Sequence, residues 1–317
     1  MFMDGRAIEL KKRKKGRAMA LIPFDDRDGV IWLDGALCPW RDAKLHVLSH
    51  ALHYASSVFE GERAYNGRIF KLTEHTERLK KSAQILDFDI PWSVAEIDQA
   101  CNQVVKEMGL PDAYVRPVAW RGSEMMGVSG QQNKIHLAIA AWAWPAYFSP
   151  EARMEGIRLT FARYRRPSPD TAPVRSKAAG LYMICTLSKH IAERAGYNDA
   201  LMLDWRGQIA EATGANVFLV QKGAIHTPTP DCFLDGITRR SVIELAKKRG
   251  YQVIERSIFP DELGRTDEVF LTGTAAEVTP VKEIGEYTFK PGEITRNLMK
   301  DFDAMVRRAP EGTERAA

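Results

Sequence analysis

The sequence predicts an α+β protein of two domains, on three observations. Strand-like and helix-like stretches mix without a steady βαβ alternation, which disfavours a doubly wound parallel sheet. No G-x-G-x-x-G follows a strand and no G-x-x-x-x-G-K occurs, so neither a dinucleotide-binding nor a P-loop core is indicated. The stretch "WPAYFSPEARMEG", residues 144–156, breaks the pattern with two prolines and a glycine, as a linker does. The 317 residues suffice for two ordinary domains. We expect a smaller one over residues 19–143 and a larger one over 157–317.

The elements follow in order. "VIWLDGAL" reads as two short strands turned at Asp34-Gly35. "SVFEGERAYNGRIFKL" is a hairpin whose Asn66-Gly67 supplies the positive φ values of a type I′ turn. Thr73 is placed to cap a helix running to about Phe88, with Glu74 and Glu77 in its positive first turn. "SVAE", Ser93–Glu96, is a capping box for a second helix that Gly109 closes. "AYVRPVAW" and "KIHLAIAAWAW" read as strands, the second buried. Beyond the linker, "IRLTFARY" is a strand and Lys177 to about Ala195 a helix. "NDALMLDWRGQIAEATGANVFLVQKGAIHTP" is a meander turned at Arg206-Gly207 and Lys222-Gly223. "GITRRSVIELAKKRG" is an amphipathic helix with a glycine at each end. "EVFLTGTAAEVTPV" returns to strand, and Thr295–Arg308 is the last helix.

Composition narrows the setting. No run of eighteen apolar residues predicts a transmembrane helix, and the basic N-terminus lacks the apolar stretch of a signal peptide. Four cysteines lie far apart with no C-x-x-C pair, so neither a zinc ribbon nor a disulfide framework is suggested, and a reduced cytoplasm is the natural home. Met1–Ala18 carries seven Lys/Arg and two acids, net +5, against +4 for the whole chain, so the rest is −1. "KKRKKGR" could be a nucleic-acid or membrane arm. A disordered tail, or a mis-assigned start with the true one at Met19, is the preferred reading, so no membrane partner is expected and nucleic acid is an unlikely one.

His46, His50 and His53 have helical spacing and could face a metal. The segment runs straight into a strand with no cysteine nearby, so packing is preferred and no metal is expected. Other stretches are more telling. "LDGITRR", 234–240, puts a glycine just before a helix, where unpaired N–H groups and Thr238 suit an anion. "TGTAAEV", 272–278, breaks a strand with small residues that allow close backbone approach, and Thr274 adds a hydroxyl. "AEATGANVF", 210–218, places Glu211 between apolar strands, where an acid without a partner is costly. "RSKAAGLYM", 175–183, sets Lys177 among small residues with Tyr182 five places on. Together they suggest a phosphorylated ligand, a buried carboxylate facing something cationic, and a lysine kept for amine chemistry. A pyridoxal phosphate site needs that set: an amine to form the Schiff base, with its pKa tuned to leave free amine, an acid to keep the pyridine nitrogen protonated, and amides and arginine for the phosphate.

The blocks "HALHYASSVFEGERAY", "AYVRPVAWRG", "KAAGLYM", "AEATGANVFLV", "DGITR" and "LTGTAAEVTPV" resemble, in order, those of class IV (fold type IV) pyridoxal-phosphate aminotransferases, most closely the bacterial branched-chain-amino-acid subgroup. The likeness spans about residues 28–285. It implies the two-domain fold type IV architecture, with a smaller N-terminal α/β domain and a larger C-terminal domain built on a meandering β core. It implies pyridoxal 5′-phosphate as cofactor and a homodimer or higher homo-oligomer, in which aromatics of a partner chain complete the pocket. By position, Lys177 would be the catalytic lysine, Tyr182 the partner of the ring hydroxyl and Glu211 the acid at the pyridine nitrogen. Arg63 would bind the phosphate, helped by Gly236, Ile237, Thr238, Gly273 and Thr274. Thr274, Ala275 and Ala276, with the Tyr114 hydroxyl, would meet the substrate carboxylate. Tyr54, Phe59, Trp144 and Tyr147 would form the apolar side-chain pocket, with Arg116 reaching the second carboxylate of glutamate.

The activity so implied is reversible, ping-pong transfer of the amino group of leucine, isoleucine or valine to 2-oxoglutarate. D-amino-acid or (R)-amine transamination and 4-amino-4-deoxychorismate lysis are the alternatives within the family. The sequence departs from it at Glu62, often apolar in relatives, and in "GSEMMGVSGQQNK", residues 122–134.

Overall fold

The computed structural model describes residues 22–144 and 154–308. The basic N-terminal tail, most of the 144–156 linker and Tyr147 lie outside the described residues. Local turn chemistry sets the first strands. Asp34 and Gly35 both take positive φ, as do Asn66 and Gly67, and each pair closes a hairpin. The strands assemble into a seven-stranded antiparallel sheet in the order 36–39, 30–33, 135–143, 113–121, 62–65, 68–69, with 57–59 also paired to 113–121. Six α-helices are described: α1 (His50–Tyr54), α2 (Leu72–Ile85), α3 (Val94–Glu107), α4 (Met183–Arg194), α5 (Ile237–Lys248) and α6 (Glu293–Arg307).

The capping box of α3 forms as expected: Ser93 Oγ accepts from the Glu96 amide while Glu96 reaches back to the Ser93 amide. Helices α2 and α3 cover one face of this sheet, where Leu79, Ile97, Cys101 and Val104 pack against Val58, Val115 and Leu137.

The second sheet has nine strands, in the order 209–212, 199–203, 157–161, 277–284, 268–273, 216–221, 224–228, 253–256, with 287–288 at its side. Strand 209–212 also touches 216–221. Strand 216–221 is apolar on both faces, because both are covered. Val217 and Leu219 join Leu159, Leu201 and Leu271 on one side. Phe218 and Val220 join Phe270 and the inward residues of α5 and α6, Val242, Leu298 and Phe302, on the other. Two residues of the 62–72 region, Tyr65 and Phe70, pack into this second group. No helix among the described residues is long and apolar enough to cross a membrane.

Three expectations are corrected. Helix α2 starts at Leu72 with Lys71 in the left-handed region, and Thr73 does not cap it, because its hydroxyl donates to Asp98 at 2.6 Å. Lys177 is not in a helix. Ala178 bridges to Val58, the Lys177 carbonyl accepts from the Phe59 amide, and the Lys177 amide donates to Ser82 Oγ. These contacts hold the segment extended until a 3-10 turn, Ala179–Tyr182, leads into α4. "EVFLTGTAAEVTPV" is two strands, because Glu277 at φ 54° turns the chain back.

Candidate active site

One cavity lies where the two sheets meet. Lys177, Tyr182, Glu211, Arg78, Arg166, the start of α5 and the end of strand 268–273 line it. Extended backbone and the 3-10 turn bring Lys177 Nζ within 2.8 Å of Tyr182 Oη. The Phe59 ring, 5.0 Å from Nζ and 4.8 Å from the Tyr182 ring, walls the pair. Burial disfavours the ammonium form, but Tyr182 and the Glu60 carboxylate favour it more, and the Lys177 pKa stands above its ordinary value. The protein groups here do not tune the amine downward, contrary to the sequence expectation.

Glu211 sits on strand 209–212, opposite Asn216. Burial pushes its carboxyl up to about 7, against the pull of Arg166 and Lys177. Arg166 Nε stands 3.5 Å from it, and the Asn216 amide donates to it at 3.4 Å and to the Leu234 carbonyl at 3.1 Å.

The amino end of α5 is uncapped by any side chain, and Gly236, Ile237 and Thr238 face the cavity together with Thr272, Gly273 and Thr274. Gly236 has no room for a Cβ, which would lie 2.2 Å from Asn216 Oδ1. Thr272 Oγ1 is buried with no partner. Free amides at a helix start and an orphaned hydroxyl are what an anion would satisfy.

The second guanidinium in the wall, besides Arg166, is Arg78, from α2. Its Nε and Nη2 donate to the two oxygens of Glu60 at 2.7 and 2.8 Å, and His75 Nδ1 meets Glu60 Oε2 at 2.7 Å. Glu60 is wholly buried. Burial works against its charge, but Arg78 and His75 outweigh that and hold the carboxyl well below the usual range.

With this geometry in view, the comparison with known families is decisive: the model described as "Amino-transferase class IV" matches residues 57–284. The chain belongs to the class IV aminotransferase family. It is 42% identical to the branched-chain-amino-acid aminotransferase of Pseudomonas aeruginosa over 288 residues, 89% of this chain and 94% of that one. It is 39% identical to the enzyme of the same name from Escherichia coli over 283 residues, 86% of this chain and 91% of that one. The crystal structure of the T.th. branched-chain amino acid aminotransferase with pyridoxamine 5′-phosphate superposes with a TM-score of 0.86 at 40% identity, covering 90% of this chain and 96% of that one.

In this class IV aminotransferase the expected residues do not all meet. Arg63, expected at the phosphate, does not line the cavity. Its Nη1 donates to Glu277 Oε1 at 2.8 Å, and Tyr65 Oη donates to the same oxygen. That pairing lies outside the cavity lining, and Arg78 stands in the wall instead. Sequence reasoning missed Arg78 and Arg166. Tyr114, Arg116, Phe59 and Trp144 form one group. Arg116 Nη2 donates to Tyr114 Oη at 3.0 Å and stacks over Phe59, while Trp144 lies 4.6 Å from the Tyr114 ring. Trp142, also missed, flanks Tyr114 at 5.1 Å. Gly61 makes room for this group, since a Cβ there would lie 2.0 Å from Tyr114 Oη.

Tyr54 is exposed, and its hydroxyl donates to the Met126 carbonyl instead of joining the other aromatics. Ala275 and Ala276 follow the cavity-lining Thr274 without lining it, and Ala276 packs into the second sheet's core. The three histidines do not converge on a metal. His50 is buried between Ser56 Oγ and the Gly127 carbonyl, His53 meets the Val47 carbonyl, and His46 Nδ1 accepts from the Leu48 amide. Asp204, Asp231 and Cys232 come within ligand spacing of one another, but Arg206 already pairs with both aspartates.

Proposed function

We propose that this chain transfers the amino group of L-leucine, L-isoleucine and L-valine to 2-oxoglutarate by a ping-pong mechanism, with pyridoxal 5′-phosphate as cofactor. One observation carries the reading: an amine, a largely enclosed carboxylate, two arginines and an uncapped helix start line a single cavity. They fit the cofactor, and the orphaned Thr272 hydroxyl among them lacks only a ligand atom. When bound, the cofactor supplies an electron sink for negative charge developing at the substrate Cα.

The residues divide the remaining work. Lys177 Nζ would bond the cofactor, then act as the base that moves the substrate's α-proton, with Tyr182 Oη fixing its position. Glu211, oriented by Arg166 and Asn216, would face the pyridine nitrogen. Arg78, the α5 amides, Thr238 and Thr274 would hold the phosphate. Phe59 and Trp144 would take the apolar side chain, each buried methylene contributing about 0.8 kcal/mol. Tyr114 and Arg116 would meet carboxylates, with the Thr274 and Ala275 amides.

Arg116 Nε is buried without a partner, which suits a residue kept for a second carboxylate. Arg116→Leu is expected to lower kcat/KM for glutamate and 2-oxoglutarate by about 10- to 100-fold, the scale of a charged hydrogen bond, with leucine changed far less. Steady-state kinetics on the three substrates checks this, and equal losses on all three would remove Arg116 from that role.

We read the chain as two domains, 19–143 and 157–317, joined by 144–156. We further place it in the cytoplasm, on its four free cysteines, and as a homodimer. The support for the dimer is an apolar stretch before and along α1: Val47 is 72% and Leu52 62% exposed, beside a groove lined by Ile31, Leu45 and Val118.

The visible spectrum of the purified protein, before and after L-leucine, tests the whole reading. A yellow protein that bleaches supports it. A yellow protein indifferent to L-leucine moves the assignment to a D-amino-acid, (R)-amine or lyase activity. A protein that stays colourless after incubation with pyridoxal phosphate overturns it.

A further inference from the structure

Glu62 stands in the core of the first sheet, and its burial is unlike that of the other acids around it. Its side chain is wholly enclosed, and neither carboxyl oxygen has a hydrogen-bond partner. It lies on strand 62–65 opposite Val115. The titratable groups that face it are Glu60 from the same stretch, Arg78 from α2, and Asp98 and Cys101 from α3. None offers it a hydrogen bond. Arg78 is committed through Nε and Nη2 to Glu60, which His75 also holds. Asp98 accepts from the hydroxyls of Thr73 and Thr76 at 2.6 and 2.5 Å. Cys101 is a buried free thiol. An isolated carboxylate in such a place is strongly disfavoured, and the group sheds its charge instead.

We propose that Glu62 is carried as a neutral carboxylic acid, and that its ionisation sets an alkaline limit on the packing of α2 and α3 against the first sheet, and so on the station of Arg78. An apolar side chain would fill the same space without titrating. Glu62 fills it only while it keeps its proton. Once ionised, it becomes a second anion beside Glu60 and competes for the one nearby guanidinium.

The sign follows from the environment. Burial raises the carboxyl above its ordinary 4.5, Glu60 and Asp98 raise it further, and Arg78 opposes them without reversing the outcome. The folded chain keeps a proton that the unfolded chain has released. The stability this group contributes is fully present below 4.5 and is lost as pH rises through the raised folded value. Within that window the unfolding equilibrium shifts by up to about tenfold per pH unit.

The test compares the full chain with its Glu62→Gln and Glu62→Leu variants. Unfolding in denaturant is followed from about pH 5 to about pH 9, and the carboxyl region of the infrared spectrum is recorded at neutral pH. Both variants should gain on the native protein as pH rises, and a protonated-carboxyl band should vanish in Glu62→Gln. Should the glutamine variant fail to fold, Glu62→Leu alone carries both readouts. Parallel pH profiles would overturn the linkage, and an unchanged infrared band would overturn the neutral acid. Neither readout needs cofactor, so the outcome stands apart from the activity assigned above.

Discussion

Lys177→Ala is expected to lower transamination by about 10⁴-fold or more and to leave the fold intact. The contacts that hold the segment are made by its backbone: the Lys177 amide to Ser82, its carbonyl to Phe59, and Ala178 to Val58. Alanine keeps all of them. What is lost is Nζ, the amine that meets Tyr182 at the cavity wall. Single-turnover kinetics with saturating pyridoxal phosphate, paired with a thermal melt, separates the two consequences. A variant that melts like the native protein and still turns over would show that Lys177 is not the catalytic base.

Arg78→Leu should be damaging in a different way. It removes the arginine facing the proposed phosphate site and strands Glu60, which is wholly buried and would keep only His75 and the Gly61 amide. Breaking a buried ion pair on one side costs about 3–5 kcal/mol. Loss of the phosphate contact should weaken pyridoxal phosphate by about 100-fold, the scale of charge-assisted hydrogen bonds. The pH dependence has a definite sign. In the native protein Glu60 titrates well below the unfolded value of 4.5, so its contribution is present above that value and is lost as pH falls through the folded one. In Arg78→Leu the carboxylate loses its main partner, so the stability gap to the native protein should be widest at neutral pH and narrow in acid. Arg63→Leu is the control, since Arg63 pairs with Glu277 outside the cavity. It should lower stability and leave cofactor affinity nearly unchanged. If Arg63→Leu weakens the cofactor more than Arg78→Leu, the assignment of the two arginines is reversed.

These two arginines show where the sequence was readable and where it was not. Asn66-Gly67, Asp34-Gly35 and the Ser93/Glu96 box declare themselves because their rules act within four residues. Lys177, Tyr182, Glu211 and the glycine before α5 were legible because each is a polar or small residue set where an ordinary strand or helix would carry something else. Arg78 carries no such mark. It sits in "TERLKK", which reads as the solvated face of a helix, and only its pairing with Glu60, eighteen residues away, turns it inward. A signal was present: Glu60 and Glu62 lie two apart in a segment destined for the core, and buried acids call for a cation from a neighbouring element. Arg63 lay inside the matching block "FEGERAY" and drew the assignment. Arg166 adjoins Arg165, and nothing local says which of the two turns toward Glu211. Tyr54 illustrates the opposite limit: an aromatic in a matching block that the single chain leaves at the surface.

The hairpin around Asn66-Gly67 belongs to the first sheet by its hydrogen bonds and to the second by its side chains. Tyr65 and Phe70 pack among Phe218, Phe270 and Phe302, and Arg63 anchors to Glu277 across the seam. Peeling the halves apart would expose those rings and part a buried ion pair in the same event. The two sheets are therefore bound into one cooperative unit: neither can melt far without pulling the other's contacts with it, and the cavity between them persists or disappears as a whole.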